Sequence, residues 1–244
     1  MRILADGFVD TSPLTSNGTV EDHILTVWGP MFWISMVVWV GVSGLILFAA
    51  VRYRRRSDDE EPVQVHGNNK LEFAWTLIPF LILIVLFALT TVQMQYVRTT
   101  PASAMKMCVV GSQFQWTYHY SGVCPPVGQV DKAGVVVNQY ITNGQAQYVT
   151  HIVKPFVIPA DTPVSMDITS ADVIHSYYIP TLAGQMNAVP GKMNHFWLDA
   201  HPGKYYGQCT ELCGAGHANM LIEIDALPKA EYDAWYAKQP GAGK

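Results

Sequence analysis

The sequence is short of charge. Lys, Arg, Asp and Glu make up 14% of its 244 residues, where an ordinary soluble protein carries about 25%. Neither sign dominates, since 15 basic residues against 19 acidic ones leave a formal charge of −4. The missing basic excess excludes a nucleic-acid binder, which recruits phosphates with Lys and Arg. A hydrophobic content of 50% excludes a disordered chain. Cysteine is scarce, at four residues, and the four do not read as a disulfide framework. No Cys-x-x-Cys-His occurs, so no c-type haem is expected on this chain. There is no internal repeat. No short apolar stretch with a cleavage site precedes residue 24, so no cleavable signal peptide is expected.

What is present is unevenly spread. Residues 24–51 form a run of 28 without Asp, Glu, Lys, Arg or His, and residues 73–97 form a second run of 25. A membrane helix needs about 20 mainly apolar residues, so the expectation is two spans rather than two core helices. Pro79 is expected near the start of the second, where a helix tolerates it. The linker 52–72 opens with Arg52, Arg54, Arg55 and Arg56 and later has Lys70, whereas only Arg2 precedes the first span. The positive-inside rule places that linker in the cytoplasm and both termini outside.

Residues 1–23 then form an exported N-terminal segment, 24–98 a helical hairpin, and 99–227 an exported domain. The domain has a β texture. Runs at 105–110, 113–120, 135–141, 148–153 and 164–169 are rich in Val, Ile, Tyr and Thr and are broken by Gly, Pro, Asn and Asp. Asn143-Gly144 is an expected hairpin turn. Many short strands at this spacing imply a sandwich or small barrel. Residues 228–239 read as one helix, with Pro228 at its start and Tyr232, Trp235 and Tyr236 on one side, and the chain ends in a tail to 244.

One loop concentrates metal-binding chemistry. Cys209, Cys213, His217 and Met220 lie within 12 residues, with Glu211 between the cysteines and Gly207, Gly214 and Gly216 around them. Thiolate, imidazole and thioether are soft ligands, suited to copper, zinc or iron–sulfur centres. Zinc would take two Cys and two His and leave Met220 unused. A mononuclear blue-copper site would take one Cys, two His and a weak Met, leaving one Cys idle. Two thiolates, two imidazoles and a thioether suit a pair of coppers bridged by both sulfurs. A second His must come from elsewhere. His175 is one candidate among His119, His151, His195 and His201.

The sequence resembles subunit II of a haem-copper cytochrome c oxidase. The likeness runs through the whole plan of a two-span hairpin followed by an exported domain. Its most specific part is Cys209-x-Glu211-x-Cys213-x-x-x-His217-x-x-Met220, preceded by Tyr205-Tyr-Gly-Gln. His175-Ser-Tyr and Ala188-Val-Pro-Gly-Lys match in order and spacing. The resemblance implies an all-β, cupredoxin-like Greek-key domain carrying a binuclear copper centre, CuA. Its ligands would be His175, Cys209, Cys213, His217, Met220 and the backbone carbonyl of Glu211. It further implies electron transfer from cytochrome c, with Trp116 of the aromatic run Gln113-Phe-Gln-Trp-Thr-Tyr-His-Tyr as the receiving residue. The Glu211 carboxylate would ligate a magnesium ion shared with subunit I. Glu72 would lie at the mouth of a proton channel. The partners implied are subunit I, subunit III and a cytochrome c, and the place a bacterial plasma membrane or a mitochondrial inner membrane.

Some positions depart from that pattern. Asn187 stands where Asp is expected, Gln185 where Lys is frequent, and Leu221 where Pro is common; none of the three is a copper ligand. Phe114 stands where relatives often have another Trp. A quinol-oxidase subunit would lack the copper ligands. A membrane-tethered copper carrier would not explain the hairpin, the Trp116 run or Glu211. A CuA domain feeding a different reductase is the remaining alternative. Cys108 and Cys124 lie outside the motif and are either paired, as an oxidising compartment allows, or simply buried.

Overall fold

The computed structural model describes residues 12–54, 67–120, 122–124, 135–136 and 155–239. The expected strand at 148–153, the Asn143-Gly144 turn, His151, Arg2, Arg55, Arg56 and the tail after 239 lie outside the described residues. The chain divides into two units. One holds Leu25–Met94, and the other holds Met1–Ile24 together with Gln95–Lys244.

The first unit is made of two helices, α1 (Thr19–Arg52) and α2 (Asn69–Arg98). Both are longer than the uncharged runs, because each absorbs charges that suit its ends. Glu21 and Asp22 lie in the first turn of α1 and Glu72 in that of α2, while Arg52 and Arg98 lie in the last turns. Acids at the N-terminus and bases at the C-terminus complement the helix dipole. Side chains such as Val37, Leu45, Val85 and Phe87 are largely exposed, as lipid-facing residues must be. Hydroxyls within the apolar stretches are satisfied locally. Ser35, Thr76 and Thr91 each donate to the carbonyl four residues earlier. Pro79 is a correction to the sequence expectation. It lies inside α2 rather than near its start, as Pro30 lies inside α1, and helices in bilayers accommodate interior proline better than helices in water.

The second unit is a two-sheet sandwich. Its strands are β1 (Met105–Ser112), β2 (Gln115–His119), β3 (Val135–Val136), β4 (Phe156–Pro159), β5 (Val164–Ser170), β6 (His175–Ile179), β7 (Gly184–Ala188), β8 (Asn194–Leu198), β9 (Gly203–Cys209) and β10 (Leu221–Leu227), and a helix α3 (Lys229–Tyr236) follows. One sheet has the order β3-β2-β1-β5-β8 and the other β4-β10-β9-β6-β7. Pairing is antiparallel except for β1 with β5 and β4 with β10. These crossings of sequence order make a Greek-key, cupredoxin-like architecture. Alternation drives it. Val164, Met166 and Ile168 of β5 and Ile222, Ile224 and Ala226 of β10 point inward, with Ser165, Asp167, Glu223 and Asp225 between them. The expected run 113–120 divides at a turn between β1 and β2, so it is only partly strand.

Two further ties hold this unit together. The start of α1 belongs to this unit because Asp199, after β8, accepts from both the Thr19 N–H at 2.6 Å and the Thr19 hydroxyl at 2.5 Å. The Asn17 N–H also donates to the Thr181 carbonyl at 3.0 Å. Cys108 of β1 and Cys124 form a disulfide across 16 positions of sequence. Replacing both with alanine is expected to cost about 3 kcal/mol of stability, the chain-entropy value for a loop of that length. Denaturant unfolding of the detergent-purified chain would measure it, and an unchanged midpoint would contradict the expectation.

Candidate metal centre

Neighbouring strands bring the ligand candidates together. Antiparallel pairing of β6 with β9 sets Tyr177 opposite Cys209, so the start of β6 and the end of β9 meet at one edge. The Thr210 N–H donates to the Ser176 carbonyl at 3.1 Å and the Cys209 N–H to the Met220 carbonyl at 2.9 Å, which closes the loop back onto the sheet. Gly214, with φ of +134°, turns the chain in a conformation that side chains disfavour. His217 follows in a short 3-10 turn, His217–Asn219.

The result is a compact donor set. One ligand atom each from His175, Cys209 and Cys213 lies within 4.8 Å of the others, and all three residues are buried. The two thiols are free and 4.0 Å apart. Cys209 Sγ is 3.3 Å from the Glu211 carbonyl oxygen, and Cys213 Sγ is 3.7 Å from His217 Nδ1. Met220 is fully buried in the same core cluster as both cysteines. Among the other histidines, His195 and His201 pair with Asp167 and Asp161 on the exposed surface, and His119 is a buried strand residue. Among the described histidines proposed from sequence to complete the set, His175 is the one beside the cysteines.

The electrostatics fit metal ligation. Burial opposes ionisation of the Cys209 thiol, yet the adjacent His175 ring, the Ser176 and Glu211 backbone and the His217 ring outweigh it and bring the pKa down to about 6. Burial, followed by the neighbouring Cys209 charge, pushes Cys213 up to about 12. The His175 Nδ1 atom is buried and without a hydrogen-bond partner, which is costly unless something binds it. Its other nitrogen, Nε2, bonds Asp172 at 2.8 Å. An imidazole anchored on one side by a carboxylate and open on the other is the usual arrangement of a metal-ligating histidine. The residues present therefore fit a soft metal centre.

Asp172 was not anticipated from sequence. Burial raises its pKa, but hydrogen bonds from His175 and the backbone N–H groups of Gln113 and Val173 hold the carboxyl below its usual value. Those two N–H groups lie 2.6 Å from its oxygens. The Gln113 side-chain amide in turn donates to the Cys213 carbonyl at 2.5 Å. Asp172 and Gln113 thus link the β1–β2 turn to both ligand loops. The clue in the sequence is an Asp three residues before a ligand His in a Ser-Ala-Asp turn, a residue type that bonds local backbone. Asp172→Ala should weaken copper binding about 10- to 100-fold, measured by competition with a chelator. Unchanged affinity would leave Asp172 a turn residue only.

Trp116 does not lie where a docking partner could reach it. It is fully buried, with its ring centroid 5.9 Å from that of His175 and 5.0 Å from that of Tyr177. The reason is Gly111, its β1 partner: a side chain there would press on both the Trp116 and His175 rings. The aromatic residue near the surface is Phe114, half-buried, whose ring fills the space left by Gly214 and Gly216. Glu211 is half-buried beside Cys209. Glu72 is exposed, and its carboxylate accepts from the Asn68 N–H at 3.2 Å, while Asn68 caps Lys70 and Leu71 in return. A reciprocal helix cap is what the structure shows for Glu72.

Comparison with known proteins agrees with this arrangement. The family model "Cytochrome C oxidase subunit II, periplasmic domain" matches residues 105–227, and "Cytochrome C oxidase subunit II, transmembrane domain" matches residues 14–111. A probable cytochrome c oxidase subunit 2 of Rickettsia bellii is 30% identical over 210 residues, 86% of this chain and 76% of that protein. A cytochrome c oxidase subunit 2 of Alkalihalophilus pseudofirmus is 35% identical over 82% of this chain, a segment that spans 53% of that protein. The crystal structure of the periplasmic domain of cytochrome oxidase subunit II of Bradyrhizobium japonicum is 28% identical. It covers 56% of this chain and 94% of its own, with a TM-score of 0.45. With the matched transmembrane region, the two apolar helices make this a membrane protein of two spans.

Proposed function

The chain belongs to the cytochrome c oxidase subunit II family, and on that premise we propose that its β domain holds a binuclear copper centre that takes electrons from a cytochrome c. The ligands are His175 through Nδ1, Cys209, Cys213, His217, Met220 and the Glu211 carbonyl. The observation that carries this reading is the pairing of two free buried thiols, 4.0 Å apart, with a buried imidazole nitrogen that lacks any partner. When bound, such a centre accepts and releases single electrons, with the charge shared between two metals so that bond lengths change little.

The chain's own residues serve that exchange by holding still. Strands β6 and β9 fix His175 and Cys209 against each other, and a ligand set on rigid elements needs little rearrangement. Asp172 orients the His175 ring, and Trp116 walls it from the core side. Water is kept from the sulfurs by burial of Cys209, Cys213 and Met220, exposed by 3%, 5% and 0%. The surface path to the ligand loop runs past Phe114 rather than Trp116. A haem in subunit I would take those electrons on to the reduction of oxygen, coupled to proton translocation. Glu211 supplies a carboxylate to a magnesium ion at that boundary, Glu72 lies at the mouth of a proton channel, and subunit III completes the core. The arginine-rich linker faces the cytoplasm, and both termini lie outside the membrane of a bacterium or the inner membrane of a mitochondrion.

The test is copper content with electron paramagnetic resonance on the full-length chain in detergent. Two coppers per chain and a seven-line mixed-valence signal are expected. One copper with a four-line signal, or a preference for zinc, would overturn the binuclear reading.

A further inference from the structure

The start of α1 is a strap laid over the β6–β7 turn and the loop after β8. The Asn17 N–H donates to the Thr181 carbonyl at 3.0 Å, and the His201 N–H donates to the Asn17 carbonyl at 3.1 Å. Thr19 is held by Asp199. Val20 and Glu21 are buried in this contact, exposed by 1% and 3%. The Gly18 carbonyl accepts from the Asp22 N–H at 3.2 Å, so Gly18 caps the helix. A Glu three residues after a cap ordinarily reaches back to the cap N–H. Here the Gly18 N–H donates to the Ser16 hydroxyl at 3.4 Å instead. Glu21 Oε2 is sealed from solvent and has no hydrogen-bond partner.

The segments packed here supply no Lys or Arg, since residues 12–24, 175–188 and 194–203 contain neither. His23 stacks on Tyr96 with ring centroids 4.7 Å apart. His195 and His201 pair with Asp167 and Asp161, and His175 lies at the other end of β6. Arg98, in the last turn of α2, is exposed. The groups that act on Glu21 are Asp22, next to it on α1, and the Tyr178 phenol of β6. Glu21 precedes the uncharged run 24–51 and belongs to the unit that holds the β domain. Burial, and then the Asp22 charge, push its carboxyl from the usual 4.5 up to about 7. That is on the order of 300-fold in the ionisation equilibrium. The helix dipole, which Asp22 also complements, favours the charged form by about fivefold at an exposed helix end, so burial wins.

We propose that Glu21 is a proton-binding site that locks the start of α1 onto the β domain, protonated while the strap is seated and ionised when it lifts. Seating withholds the water that a carboxylate needs, and lifting restores it. The chemistry is acid dissociation alone. The O–H bond breaks, its electron pair stays on the carboxylate, and the proton passes to water. The sign follows from a pKa that is higher in the seated state. Seating is full below the ordinary 4.5, weakens as pH rises toward about 7, and changes no further above that. The strap grips the turn after β6, and β6 carries His175 at its other end. Copper plays no part in the lock.

Amide hydrogen exchange on the purified oxidase containing this chain tests the lock. Peptides covering residues 12–24 and 199–203 report the Asn17 and His201 amides, with rates corrected for the intrinsic effect of pH. Protection there is expected to fall about tenfold or more between about pH 5 and 7.5, while amides of the β1–β5 pair show no such slope. Glu21→Gln is uncharged at every pH and should remove the slope. If its buried amide unseats the strap, Glu21→Met, which fills the space without a polar group, should be protected across the whole range. Infrared spectra supply a direct reading. A protonated-carboxyl band should be present in the wild type at about pH 6, missing from Glu21→Gln, and lost as pH is raised past about 7. Wild-type protection that is flat with pH, a slope that persists in both variants, or absence of that band overturns the proposal. The band decides alone if neither variant seats the strap.

Discussion

Cys209→Ser is expected to erase the mixed-valence copper signal and reduce cytochrome-dependent oxygen consumption to background, while leaving the apo fold intact. The reasoning starts from the donor count. Without the Cys209 sulfur, the remaining soft set is His175, Cys213, His217 and Met220. That is a mononuclear set, with one thiolate, two imidazoles and one thioether. Two coppers cannot then share two sulfurs, and any copper retained should give a four-line spectrum. The fold should survive because serine has nearly the shape of cysteine. Its hydroxyl also inherits an acceptor, the Glu211 carbonyl that lies 3.3 Å from the native sulfur. Thermal unfolding of the metal-free chain separates the two effects. An apo protein that unfolds at the wild-type temperature yet holds at most one copper is the expected outcome. A two-copper signal persisting in the variant would remove Cys209 from the ligand set.

Much of this was legible in the sequence, and the parts that were not have physical reasons. Uncharged runs of 28 and 25 residues can only be satisfied in lipid or in a large core, so the two helices could be read directly. Their true ends could not, because Glu21, Asp22, Glu72 and Arg98 look like flanking charges but serve as helix-terminal ones. The local ligands Cys209, Cys213 and His217 are spaced closely enough that one loop must gather them. His175 is 34 positions before Cys209, and spacing alone could not choose it over the other histidines; the family resemblance did so. The β6–β9 register is the physical basis of that choice. Trp116 took its electron-entry role from the family resemblance, and the aromatic run alone reads equally as a strand with a buried Trp; in β2 its neighbour across the ladder is Gly111, which leaves room for the ring in the core. Asp172 went unnoticed because a single Asp in a turn carries no pattern. Its role emerges only when Gln113, 59 positions away, is folded against it.

The same register makes Gly207→Ala the substitution expected to damage both stability and metal binding. Gly207 lies in β9, two residues before Cys209, and faces β6, the strand that carries the ligand His175. An added Cβ would overlap the Tyr178 carbonyl oxygen and lie 2.9 Å from Ile179 Cγ1. The obstacle is backbone, which cannot rotate away as a flexible side chain would. Strand β9 must therefore move off β6, and overpacking of this kind costs about 1–3 kcal/mol or more. For a domain of this size that is a fall of about 3–12 °C in Tm. The cost is not confined to stability, since His175 rides on β6 and Cys209 on β9. Separating the strands pulls one imidazole ligand from one thiolate ligand, so copper should be lost at chelator concentrations that leave the wild type loaded. Gly191→Ala is the informative contrast. Gly191 has a φ of +77°, which strains any other residue by about 1–2 kcal/mol, but a Cβ there meets nothing within 4 Å. It should lower Tm and leave the copper spectrum unchanged. If Gly207→Ala behaved in the same way, strand spacing would not set the ligand geometry, and the loop 209–220 would hold the metals without help from β6.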